Sequence, residues 1–220
     1  MEPFEYAKMS PSQRAAWLDS LSETEILSLG EAFIHQVLSD ENYGLCKWFL
    51  YRALGEFDTI TALSALHNEA LLPDINFGNT STHLAIADSF VKIGQSAWPY
   101  IVSLYNAPED YSRKIAVDVL GSLINQDDKS INIGYLREAI IEDVWIVKLW
   151  ASLSLAKLGE ASRKTIENLI TDALVDENTS ILLIDALDKI GMSDSPKLLS
   201  FLGTFGSENQ KKAVSKYLLN

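Results

Sequence analysis

Three aspartates, Asp88, Asp118 and Asp185, occupy the same place in three similar helical segments of this chain. Carboxylates in one column could line a groove for a cationic ligand, or work as an acid–base pair if two of them converge. A third reading is local. Lys92 follows Asp88, and Lys189 follows Asp185, at the four-residue spacing that pairs opposite charges along one helix for a few tenths of a kcal/mol. Asp118 has Ser122 at that place. Pairing on a solvated face and a binding column both stay open, with a catalytic pair behind them.

Other reactive residues are sparse. The histidines His35, His67 and His83 are far apart, and none sits in a His-x-x-x-His or Glu-x-x-His spacing that would set two ligands on one helical face. Cys46 is the only cysteine, so an intramolecular disulfide and a multi-thiolate metal site are both excluded. Its setting, GLCKWFLYRALG, marks it as a small core residue. The chain contains no Gly-x-Gly-x-x-Gly, no Walker loop and no Gly-x-Ser-x-Gly. The expectation is a protein without catalytic residues, cofactor or metal. Among the tryptophans, Trp48, Trp98 and Trp150 fall beside core positions. Trp145 lies at the start of its helix, outside the apolar stripe, either as a contact anchor or as a plug between neighbouring segments.

The elements that would position these residues are helices. Asp143–Gly159, DVWIVKLWASLSLAKLG, carries small or apolar residues at Ala151, Ser154, Leu155 and Leu158 and closes on a glycine. At the N-terminus, Ser10-Pro11-Ser12-Gln13 and Ser22-Glu23-Thr24-Glu25 are capping boxes. The second leads into Ile26, Leu29, Phe33 and Val37, and residues 1–40 are expected to form a helical cap. From Asn42 a helix runs through Cys46, Leu50 and Leu54, and Asp58 caps the next. LPDINFGNTST, between Leu72 and Thr82, is the longest loop candidate. Further helices are expected over His83–Gly94, from Ser96 with Pro99 in the first turn, Tyr111 to about Asn125, Tyr135–Ile141 and Asp143–Gly159. Ser162–Val175, Asn178–Gly191, a segment from Asp194 or Ser195 to about Phe205, and a last helix capped by Ser207-Glu208-Asn209-Gln210 complete the set. No stretch has a convincing period of two, so no strand is expected.

Aligned segments start at Leu50, Ile86, Ala116, Ala151, Leu183 and Ala213, which are 36, 30, 35, 32 and 30 residues apart. Four residues on, all are apolar: Leu54, Phe90, Leu120, Leu155, Leu187 and Tyr217. Gly94, Gly159 and Gly191 close three copies, while the Ala116 copy has Ile124 there and an earlier glycine, Gly121. A helix pair of this length cannot bury its apolar face alone, so copies must stack.

The phrases HLAIADSFVKIG, SRKIAVDVLGSL and IVKLWASLSLAKLG resemble the short HEAT-like repeats of the bilin-lyase type, whose second helix reads as a Val-Arg pair, Ala-x-x-Ala-Leu and a glycine. The resemblance covers residues 42–220 as about six repeats, the first and last degenerate. It implies one all-α domain over residues 1–220, an α-solenoid wound as a right-handed superhelix. The family's basic column is occupied here by Lys47, His83, Arg113, Lys148, Ser180 and Gln210. That base usually supports neighbouring turns through acidic partners, for which Asp143 and Asp110 are placed, and Ser180 and Gln210 should weaken the ladder.

Composition bounds the role. Thirty acidic against 18 basic residues, a net charge of −12, disfavour nucleic acid and anionic membranes, whose binding needs clustered Lys and Arg. No apolar run approaches a bilayer span of about 20 residues, and MEPFEYAKMS reads as no secretory signal. A soluble, cytoplasmic protein is expected. The resemblance implies a non-catalytic module binding another protein along the groove of the second helices, as adaptor, assembly factor or inhibitor, with Asp88, Asp118, Trp145, Leu153 and Asp185 as contact candidates. Charge favours a basic or amphipathic partner, such as the basic toxin that a bacterial inhibitor would neutralise. Two enzyme-class readings from related families stand beside it: an accessory subunit of a bilin lyase and a HEAT-like DNA glycosylase, the latter opposed by the acidic charge.

Overall fold

In the computed structural model the described residues are 54–72, 80–123 and 129–218, with short stretches at 9–10, 12–13, 16–17, 20–22, 24–25 and 51–52. His35, Cys46, Lys47, Trp48, Leu50, Ile124, the helix expected to carry Ile26 to Val37 and most of the loop expected after Leu72 lie outside them. The described residues are all-α and contain no strand. They fall into two compact units that divide between Ile115 and Ala116.

In the first unit, helix α1 (Ile60–Ala70) packs on α2 (Thr80–Ile93) and on α3 (Trp98–Tyr105). Thr59 starts α1, its hydroxyl accepting from the Ala62 amide at 3.1 Å, which satisfies one donor that a helix N-terminus leaves open. Pro99 sits in the first turn of α3, after a 3-10 turn over Gly94–Ala97. There its missing N–H costs nothing. Helix α4 (Asp110–Leu120) gives its first turns to this unit and its last to the second.

The second unit continues with α5 (Lys129–Glu142), α6 (Trp145–Leu158), α7 (Arg163–Ile170), α8 (Glu177–Ile190), α9 (Pro196–Phe205) and α10 (Glu208–Leu218). Helix α6 lies between α5 and α8; α8 also packs on α7 and α10, and α9 packs on α10. The capping box at Ser207 is closed in both directions, Ser207 N to Gln210 Oε1 at 2.9 Å and Gln210 N to Ser207 Oγ at 3.2 Å. Ser10 and Gln13 repeat it, at 2.8 and 3.3 Å.

The aligned positions are where the core is. Ile86, Ala116, Ala151 and Leu183 are buried, as are Leu54, Phe90, Leu120, Leu155 and Leu187 four residues on. In the last copy the register is looser, with Ala213 and Tyr217 half-buried. Gly94, Gly159 and Gly191 all take positive φ, 83°, 66° and 117°, the left-handed region that a side chain makes costly. Their role as helix stops follows from that geometry.

Gly121 has another role. A Cβ placed on it would stand 2.5 Å from Ser154 Cβ and 2.7 Å from Ser154 Cα. Gly55 meets Ser89 in the same way, its added Cβ 2.8 Å from Ser89 Cα. Both pairs join the same two alignment positions of successive copies, so glycine is required there by close approach of backbone to backbone.

Candidate functional site

The expected acidic column divides in the structure. Asp88 and Asp185 are exposed. Asp118, expected on the exposed side, is instead buried, with 3% of its surface accessible, and takes an ion pair from Lys157 Nζ at 2.5 Å. Burial of a carboxylate is tolerated when a cation is brought to it, and here the cation comes from the next copy, 39 residues on. Asp118 is therefore a packing residue and leaves the column. Among the described residues no ion pair joins Asp88 to Lys92 or Asp185 to Lys189, and Lys92 reaches Glu56 of the preceding copy instead.

The basic column behaves similarly. Arg113 pairs with Asp110 and donates to the Ala107 carbonyl at 3.0 Å and the Pro108 carbonyl at 2.6 Å, bracing its own turn. Lys148 reaches not Asp143 but Asp176 of the following copy, at 3.5 Å. Where the column becomes neutral it persists, because Gln210 Nε2 donates to Ser180 Oγ at 2.8 Å. The expected weakening at these two positions is offset by a direct hydrogen bond. His83 is buried, edge-on to Tyr111 with ring centroids 6.4 Å apart. His67 bonds Ser103 Oγ at 3.0 Å, and burial lowers its pKa.

Asp176 has a second duty. It caps α8, its carboxylate accepting from the Thr179 amide at 2.9 Å and the Thr179 hydroxyl at 2.6 Å. These bonds, with Lys148, hold its pKa below the ordinary Asp value. A depressed folded pKa contributes stability above the unfolded pKa, near 3.9 for Asp, and that contribution is lost as pH falls through the folded value. Asp176→Ala should cost about 1 kcal/mol at neutral pH, and urea midpoints measured from pH 6 to pH 2 should fall less steeply in the variant than in the parent.

Three residues that pattern reading passed over hold the copies together. Lys157 is one. Asn132, fully buried, donates to the Leu120 and Leu123 carbonyls at 2.8 and 2.5 Å and so closes the end of α4. Arg163 closes the end of α8, donating to Gly191 O at 2.8 Å. Each acts on a carbonyl or carboxylate distant in sequence, so no local spacing announces it.

The second unit exposes large apolar side chains at several places, among them Ile131, Leu174, Phe201, Phe205 and Leu218, and at the start of α6 it exposes three in succession. Val144, Trp145 and Ile146 leave 43%, 50% and 37% of their surfaces accessible. Glu142, exposed, and Asp143 precede them, and Asp176 stands across at Lys148, one turn after Trp145. Trp145 thus projects to solvent rather than plugging the core, while Leu153 is half-buried and Trp98 and Trp150, expected inside, are half-buried as well. Among the described residues no three His, Cys, Asp or Glu side chains are grouped to hold a metal ion, and no helix is long and apolar enough to cross a membrane. The sequence matches no protein-family model and no curated relative.

Proposed function

We propose that the chain is a non-catalytic helical-repeat module that binds another protein, its helix pairs stacking as an α-solenoid of the short HEAT-like kind. Support for the stacking is the recurrence of side-chain bonds between residues about one repeat apart within each unit. Ser89 to Tyr51 O spans 38 residues, Lys157 to Asp118 spans 39, Gln210 to Ser180 spans 30, and Lys216 to Asp188 spans 28. A chain whose copies touch their neighbours in this way is built by nearest-neighbour packing.

The observation that carries the binding reading is the exposed Val144-Trp145-Ile146 step beside Glu142, Asp143 and Asp176. A half-exposed tryptophan offers a large apolar contact at low entropic cost, and carboxylates around it favour a partner with basic residues. Asp88 and Asp185 remain candidate contacts by their exposure.

Affinity capture from a lysate of the native organism, at low and high salt and read by mass spectrometry, tests this. Trp145→Ala should reduce recovery of the principal partner by about tenfold or more. Asp88→Asn with Asp185→Asn should lower recovery chiefly at low salt. Equal recovery by Trp145→Ala and the parent would remove the start of α6 as the contact.

A further inference from the structure

We propose that Arg163 is a latch that keeps the terminal helix pair, α9 and α10, docked on the rest of the second unit, and that its release frees this pair without unfolding α6. Helix α8 ends at Gly191, whose φ of 117° turns the chain. A three-residue 3-10 turn, Met192–Asp194, then leads to Ser195 and to α9, which begins at Pro196. The join is short, contains a glycine in a left-handed conformation and packs α9 mainly on α10. Beside the packing of α10 on α8 and the burial of Met192, Leu198 and Leu202, few polar groups fix the angle at which the pair leaves α8.

Arg163 supplies the missing constraint. Its side chain is only 11% accessible although it starts a helix on the protein surface. Nε faces both oxygens of Glu160 at 2.7 and 2.8 Å. Nη1 donates to Gly191 O at 2.8 Å and to Ser195 Oγ at 3.1 Å, and Nη2 donates to Ile190 O at 3.3 Å. Asp194 adds an ion pair at 3.6 Å. Ser195 donates its own hydroxyl hydrogen bond to Glu167 Oε1, at 2.5 Å, one helical turn after Arg163. A planar guanidinium can satisfy these directions together; a lysine ammonium has no such fork. The φ of 117° at Gly191 is one that a side chain makes costly, so the latch also favours the glycine.

The remaining ties between the pair and α8 are the packing of α10 on α8 and four side-chain bonds. Gln210 reaches Ser180, Ser207 and Asn209 reach Glu177, and Lys216 reaches Asp188 at 2.7 Å. Opening at the latch leaves these to hold α10, together with the contact that buries Val214. Sub-global opening of this sort is the means by which a packed chain exposes one element at less than the cost of full unfolding.

Hydrogen exchange on the full chain, read by mass spectrometry, distinguishes the possibilities. Arg163→Met should raise exchange across residues 192–218 by about tenfold or more while α6 keeps its protection. Arg163→Lys, with charge but no fork, should fall between the two. Ser195→Ala should give a smaller rise over the same residues. Unchanged exchange over 192–218 in Arg163→Met overturns the latch, and so does an equal rise in α6, because Arg163 would then support the whole unit. The Ser195→Ala variant keeps the test informative if Arg163→Met folds poorly: a rise spread evenly over the unit counts against the latch.

Discussion

Gly121→Ala is expected to destabilise the protein by about 1–3 kcal/mol, the range for forcing extra volume into a packed contact. The added methyl would lie 2.5 Å from Ser154 Cβ and 2.7 Å from its Cα. The second distance is to backbone, so no rotamer change relieves it. Alanine also narrows the unfolded ensemble, a gain of about 0.4–1 kcal/mol that works against the loss but is smaller than it. Gly134 provides the contrast. It lies mid-way along α5, exposed, with no atom within 4 Å of an added Cβ, so Gly134→Ala should stabilise by about 0.5–1 kcal/mol. Urea denaturation of both variants should show midpoints moving in opposite directions.

Leu155→Ala should have the larger effect, a loss of about 2–5 kcal/mol through the cavity it leaves. Leu155 is wholly buried on α6, the helix that lies between α5 and α8. Its surroundings are tied down: Ser162 Oγ donates to the Leu155 carbonyl at 2.6 Å, and Ala151 and Leu158 on the same stripe are buried too. A site held in this way has little room to collapse around a missing side chain. Leu153, two residues earlier and half-buried, should cost about 1 kcal/mol or less when cut to alanine. Thermal or chemical unfolding of the two variants checks the register of the stripe.

What was legible in the sequence is what depends on near neighbours. The apolar spacing around Ala116, Ala151 and Leu183 placed core residues because one helix turn decides it. Gly94, Gly159 and Gly191 read as stops because a left-handed backbone is a local demand. Misreadings arise where a distant residue decides. Asp118 reads as a surface residue because its column, two residues after the nominal first position, should face outward, whereas its partner is Lys157 in the following copy. Gly121 looked like an early stop, yet its backbone is not left-handed, and Ser154 explains it.

Element ends show the same division. Helix α7 stops at Ile170 rather than Val175: Thr171 turns its hydroxyl to the Asn168 carbonyl at 3.0 Å, and Asp172 accepts from the Leu174 amide at 2.9 Å. Short polar side chains there compete for backbone groups the helix would need. Helix α5 starts at Lys129 rather than Tyr135, because Gly134 is accommodated and Asn132 is anchored to the end of α4. Of the candidate site, Trp145 was identifiable from its place before the stripe. The exposure of Val144 and Ile146 beside it was not, since it depends on what the neighbouring copies leave uncovered.

The proposed stacking of copies in one register sets Gly121 against Ser154, and a double-mutant cycle on that pair tests it most directly. Measured by urea denaturation, Ser154→Gly should relieve part of the loss caused by Gly121→Ala, since it removes two of the three atoms nearest the added methyl, and the coupling should be at least about 0.5 kcal/mol. Losses that add to within about 0.3 kcal/mol would mean that the two residues do not meet, and that the copies are not stacked in this register.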